Sequence, residues 1–397
     1  MSDAIYLDFN ATAPILPAAA DAVREASLRF GANPGSQHEP GREARRALEN
    51  ARERIGELLG ARLGGANPDR LIFTSGGTEA NNLALLGLRG LPGQHAVATL
   101  PSRTRHLITS AIEHPSVIEP AAHLQQLGWQ VSQIGVDENG AVRLDEFDDL
   151  VGTRPSLVSL MMANNETGVL QPVETVAKLC REHGIPVHCD AAQAVGKIPV
   201  DFARLQLSML SCAAHKFQGP LGIGVLVVRN EIVLHPIMFG GHQQADLRPG
   251  TDTLALAAGM CEALEFSCQA IEQRGREVAE KRDQLEQLVL KGFPRAMVIG
   301  RDSSRLPNTS NIAFVGLDRQ ALVMALDLEG VACSTGSACS SGSSELSPTH
   351  LAMGLDPSAA EGAVRFSLGI STTAAEIDEA ARRILFCCQR LERGRNL

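Results

Sequence analysis

Two nucleophiles stand out by their surroundings. Lys216 lies in residues 211–219 (SCAAHKFQG), after the apolar run 207–210 and before a second run, 224–228. A lysine between two strand-like runs is poorly placed for water. Burying an ammonium lowers its pKa and favours the neutral amine that forms Schiff bases with carbonyl compounds. Read alone, the stretch is as well explained by a strand-end lysine snorkelling to solvent. The second nucleophile, Cys339, lies in the middle of residues 333–344 (CSTGSACSSGSS). That density of serine and glycine makes a mobile loop.

Apolar runs recur upstream at 70–74, 106–111, 156–162, 186–189 and 208–212, with helical patterns near 17–30, 37–60, 79–88, 116–127, 145–151 and 173–183 between and around them. Strand, loop, helix and strand at this spacing predict an α/β chain with a mainly parallel sheet. Ser36 is the expected cap of the 37–60 helix. Thr78, His114, Asn165, Asp190, Gln193, His215 and Lys216 each follow an apolar run at its C-terminal end. In an open α/β sheet that edge binds ligands. Any one of these residues alone is better read as a turn or core residue. Their recurrence at successive strand ends is not.

A helical region is expected over 253–290. Strand signals at 296–299, 311–315 and 364–367, with helices near 319–328 and 374–393, indicate a second α+β unit. The 397 residues accommodate this, and 44% hydrophobic with 20% charged residues is ordinary for a globular enzyme. A net charge of −9 argues against nucleic acid, and no run is long and apolar enough to suggest a membrane partner. The N-terminus lacks a signal-peptide pattern, and nine cysteines without metal-ligand spacing predict a reducing cytoplasm and no metal site.

A buried lysine with a strand-end aspartate upstream suggests pyridoxal phosphate. That cofactor needs an amine for its aldehyde, a carboxylate for its ring nitrogen, donors for its phosphate and a flat group over its ring. Lys216, Asp190, the Gly77-Thr78 helix start and His114 fill these needs in turn, leaving Asn165 and Gln193 for the phenolic oxygen.

The segments YLDFNATAP, NPGSQH, FTSGGTEANNLA, SAIEHPSV, ANNETGVLQP, HCDAAQAVGK, AHKFQGPLGIG, LRPGT, STGSACSSGS and VRFSLG occur in this order. Together they resemble the cysteine desulfurases, in the subgroup with a long cysteine-bearing loop. The resemblance implies the aspartate-aminotransferase-like fold, fold type I of pyridoxal-phosphate enzymes. A large domain on a mainly parallel seven-stranded sheet would span 16–262; residues 1–15 and 263–397 would form a smaller α+β domain carrying the loop.

The same resemblance implies roles. Lys216 would be the Schiff-base lysine, Asp190 the pyridinium partner, and His114 the stacking and proton-moving group. Asn165 and Gln193 would face the ring oxygen. Gly77, Thr78 and His215 would bind the phosphate, with Thr251 reaching it from the other subunit of a homodimer. Arg365, Asn10 and Asn33 would contact the substrate, L-cysteine. Cys339 would take its sulfur as a persulfide, release alanine, and pass sulfur to an acceptor protein in iron–sulfur assembly or thiolation. A selenocysteine lyase of the same fold, and a divergent sulfur-carrier scaffold, are the competing readings. Ala213 stands where the family usually has a hydroxyl on the phosphate, a hydrogen bond worth about 1 kcal/mol. Gln243-Gln244-Ala245-Asp246, Pro249 and Ile370 also depart from the family pattern.

Overall fold

The structure is a computed structural model and describes residues 4–89, 105–336 and 346–395. The main sheet has 7 strands, in the order Arg70–Thr74, Gly224–Val228, Met209–Ala213, Val187–Asp190, Leu157–Met161, His106–Ser110 and Gln130–Ile134. Gly224–Val228 is antiparallel to both its neighbours, which returns Arg70–Thr74 to the direction of the others. All other pairs in this sheet are parallel. The expected mainly parallel α/β architecture is therefore the observed one. Central strands are buried along their whole length, as helices on both faces require. The edge strand Gln130–Ile134 is polar and half exposed, which discourages pairing with another chain.

Because those six strands share one direction, the loops after them gather at one edge. The turn at Gly76-Gly77 closes over that edge beside the loop carrying Lys216. A Cβ on Gly224 would come within 2.8 Å of Gly76 Cα and 2.7 Å of the Cys212 carbonyl, so glycine is required there.

The single helical region expected over 253–290 is instead two helices, Leu254–Cys268 and Ile271–Gly292, bent by 76°. Gln269 is extended and Ala270 left-handed, with φ 50°. Each helix follows its own core. The first buries Ala257, Met260, Ala263 and Leu264 against the main sheet. The second buries Val278, Leu285 and Val289 in a separate cluster with Ile312, Phe314, Phe366 and Ile384. Ile5 and Leu7 join this second cluster, which surrounds the antiparallel sheet Ala363–Ser367, Thr309–Phe314 and Ala296–Val298. The N-terminal loop crosses between the two parts: Asn10 N donates to Ser367 Oγ at 2.9 Å, and Ala13 N to the His215 carbonyl at 2.9 Å.

The helix Glu39–Leu58 is capped by His38 rather than Ser36. The His38 side chain accepts from Gly41 N at 3.3 Å, and proline in the first turn needs no intrahelical donor. No single helix among the described residues is long and apolar enough to cross a membrane.

Candidate active site

A cleft of about 220 Å³ opens at the C-terminal edge of the main sheet. It is lined by Gly77, Thr78, His114, Asn165, Asp190, Gln193, His215 and Lys216, together with Asn81, Ser116, Met161, Ala163, Ala192 and Ala213. Every residue expected to hold the cofactor is therefore at one place except Thr251, which is exposed and lies outside the lining.

Lys216 sits in a tight 3₁₀ turn, Ala214–Phe217, directly after the strand Met209–Ala213. The turn stops at Gln218, which is left-handed. Lys216 Nζ donates to the carbonyls of Asn10 at 2.6 Å and Ala11 at 2.9 Å. The lysine is thus held inward by the N-terminal loop and does not snorkel.

Asp190 ends its strand with both carboxylate oxygens occupied. Oδ1 accepts from Ala192 N at 2.9 Å and Oδ2 from Asn81 Nδ2 at 2.7 Å. Asn81 Nδ2 also reaches Ser116 Oγ at 2.8 Å, and Asn81 Oδ1 is buried without a partner. His114 caps the helix Pro115–Gln126 by accepting from Ser116 N at 3.1 Å on Nδ1. That contact makes Nδ1 the acceptor, so the proton of the neutral ring belongs on Nε2. Burial lowers the His114 pKa, opposed by Asp190 and assisted by Lys216, so the ring is neutral at neutral pH.

At the other end of the cleft the helix Gly77–Leu86 begins without a side-chain cap, leaving its first N–H groups and dipole for an anion. A Cβ on Gly77 would fill this cradle, 3.6 Å from the Ala213 methyl. His215 stands beside it with Nδ1 3.2 Å from Thr12 Oγ1. Burial, then Lys216 and Lys197, push its pKa down to about 4, so it approaches an anion as a neutral donor. An uncapped helix start, an inward amine, a hydrogen-bonded carboxylate and a neutral imidazole fit pyridoxal phosphate. No group of three His, Cys, Asp or Glu placed to hold a metal ion occurs among the described residues.

The residues expected at the substrate are arranged differently. Arg365, almost fully buried, pairs with Asp8 and donates to the carbonyls of Asn165 at 2.9 Å and Gly336 at 3.2 Å. Its Nε has no partner. Asn10 uses its side chain fully: Oδ1 accepts from Lys197 Nζ and Asn308 Nδ2, and Nδ2 donates to Thr309 Oγ1 and the Asn165 carbonyl. No donor or acceptor remains for a substrate, so Asn10 positions other groups instead. Asn33 is exposed, accepts from Gly35 N at 2.8 Å and does not line the cleft. Cys339 lies outside the described residues.

Sequence reasoning missed Asn81, Ser116 and Lys197. Asn81 was findable, since it follows Thr78 by one helical turn and so faces the same way. Lys197 follows Gln193 by four residues, but nothing local says that both turn toward Asn10.

The family model for class V aminotransferases matches residues 5–380. The chain is 37% identical over 380 residues to the cysteine desulfurase IscS of Dictyoglomus turgidum, covering 95% of this chain and 93% of that one. It is 39% identical over 385 residues to the cysteine desulfurase NifS of Azotobacter vinelandii, covering 96% and 91%. Its fold superposes on a solved NifS-like protein with a TM-score of 0.88 and 31% identity, covering 98% and 100%.

Proposed function

The chain belongs to the class V aminotransferase family, and from that premise we propose how its residues divide the work of a cysteine desulfurase. The protein is a pyridoxal-phosphate-dependent cysteine desulfurase, acting on L-cysteine and handing sulfur to an acceptor. The observation that carries the division of roles is the convergence of Lys216, Asp190, His114 and the Gly77 helix start on one cleft.

When bound, pyridoxal phosphate supplies an aldehyde that takes up amines and a protonated ring that withdraws electrons from them. Lys216 would hold the aldehyde and would carry protons at Nζ. Asp190, held in place by Asn81 and Ala192 N, would face the ring nitrogen. Gly77, Thr78 and His215 would hold the phosphate. Asn165 and Gln193 would face the ring oxygen, and His114 would cover the ring with its proton at Nε2. Arg365 receives the substrate carboxylate, a task suited to its planar fork.

Cys339 is the nucleophile that takes sulfur from cysteine, becoming a persulfide and leaving alanine. The other eight cysteines support this by default: burial raises the thiol pKa of Cys180, Cys189, Cys212, Cys261, Cys268, Cys333, Cys387 and Cys388. A thiol held protonated is a poor nucleophile. The acceptor is a protein scaffold or carrier that takes the sulfur from Cys339. The working unit is a homodimer in which Thr251 serves the partner's cleft. The exposed Met238 and Phe239, next to the loop that leads to Thr251, support such a contact.

The test is to supply purified protein with cysteine and a reductant. Equal amounts of alanine and sulfide are expected, with Lys216→Ala losing both products and the cofactor's visible band. Product formation undiminished in Lys216→Ala would remove this lysine from the chemistry.

A further inference from the structure

The side-chain amide of Gln193 is symmetric in shape, so its partners decide whether oxygen or nitrogen faces the cleft. One of those partners is a second lysine. Lys197 follows Gln193 by four residues of non-helical turn, and its Nζ donates to Gln193 Oε1 at 2.7 Å and Asn10 Oδ1 at 2.9 Å. Gly196, at φ 78°, allows this close return: a Cβ there would lie 2.5 Å from Phe217 Cβ. An amine with protons to donate faces oxygens, so Oε1 of Gln193 is fixed toward Lys197. Nε2 is then left on the opposite side, where it donates to the Asn10 carbonyl at 3.1 Å. The same carbonyl holds Lys216 Nζ.

We propose that Lys197 is a positioning residue, which locks the Gln193 amide with its N–H side toward the cleft and holds Asn10 against Lys216. The inference rests on the cofactor reading of the cleft, in which Gln193 faces the ring oxygen. An oxygen that carries negative charge needs a donor opposite it; a flipped amide would present a carbonyl and repel it. Lys197 itself lines the adjoining cavity and is absent from the cleft lining, so it acts through Gln193 and Asn10. Burial and the charges of Lys216 and Arg365 hold its amine well below the usual lysine range, in keeping with this inward placement.

The test compares cofactor affinity of the apo-protein, by fluorescence titration with pyridoxal phosphate, in wild type, Lys197→Met, Lys197→Arg, Gln193→Ala and the Lys197→Met/Gln193→Ala double variant. Lys197→Met is expected to bind about five- to tenfold more weakly, the value of one misaimed hydrogen bond. Lys197→Arg, which keeps a donor, should stay within about twofold of wild type, and Lys197→Met should add almost nothing once Gln193 is gone. A merely structural lysine would give the same loss in both backgrounds, and that result, or wild-type affinity in Lys197→Met, overturns the proposal. If Lys197→Met does not fold, judged by circular dichroism, Lys197→Leu, which also lacks a donor, takes its place under the same criteria.

A second arm needs no cofactor: competitive acylation of Lys216 across pH in the apo-protein, read by mass spectrometry. With Asn10 no longer held against it, Lys216 should be acylated faster in Lys197→Met than in wild type across this range; an unchanged rate counts against the proposal. Wild-type protein that binds no pyridoxal phosphate would sink the desulfurase reading instead, while the acylation arm would still decide the role of Lys197.

Discussion

Arg365 Nη2 lies 2.7 Å from Asp8 Oδ1, joining residues 357 positions apart within the smaller core. Arg365 is almost entirely buried and Asp8 is mostly so. The guanidinium therefore has a resident carboxylate before any substrate arrives. Removing one partner of such a pair costs about 3–5 kcal/mol, because the other is stranded.

Arg365→Ala should accordingly lower thermal stability by several degrees and raise KM for cysteine by about 100-fold or more. Asp8→Asn tests the shared role. Freed of its competitor, Arg365 should bind the substrate carboxylate more tightly, so KM falls while the unfolding temperature also falls. An unchanged KM in Asp8→Asn would assign Arg365 to structure alone.

Ala213 faces the Gly77 helix start, where a hydroxyl would add a donor toward an anion. Ala213→Ser should tighten pyridoxal phosphate binding about fivefold, as one added hydrogen bond of about 1 kcal/mol implies. Titration of the apo-protein reads this directly, and unchanged affinity would place the phosphate elsewhere.

Glu113 accepts from Ser110 Oγ at 2.6 Å and Met161 N at 2.9 Å, while its Oε2 is buried without a partner. Burial raises its pKa to about 8. A carboxyl whose folded pKa is raised contributes stability that is full below its unfolded value and is lost as pH rises through the folded value. Glu113→Gln lacks this loss. The difference in unfolding temperature, variant minus wild type, should therefore grow steadily between about pH 5 and pH 8. The buried His188, His215 and His350, with pKa values pushed down to about 4, act in the opposite sense as pH falls below their unfolded value. They are common to both proteins and cancel in the difference. A difference independent of pH would mean that Glu113 is ionised in the fold.

Thiol reactivity should separate Cys339 from the rest. Brief alkylation at neutral pH is expected to modify Cys339 first, since burial raises the pKa of the other eight. After incubation with cysteine, peptide mass spectrometry should find one added sulfur on the Cys339 peptide. Cys339→Ala should keep the cofactor's colour and lose the persulfide. A persulfide on Cys333 or Cys212 instead would overturn the assignment.

What the sequence determined by itself was the order of elements and the chemistry available to them. Apolar runs of strand length and a period-3.6 pattern between them are local properties, so the main sheet and the strand-end positions of His114, Asp190 and Lys216 were legible. The family motifs then attached roles to those residues. The tertiary structure decided what depends on distant partners. The Thr253-to-Leu290 region bends because its two halves bury into different cores, a choice that its own periodicity does not record. Asp190 is held by Asn81, 109 positions away, and Lys216 by the carbonyl of Asn10, 206 positions away. Asn10, which by residue type could have met substrate, is spent on Lys197, Asn308 and Thr309. Each of these outcomes is set by which side chains meet once the helices and strands pack. Spacing along the chain carries the local geometry but not that meeting.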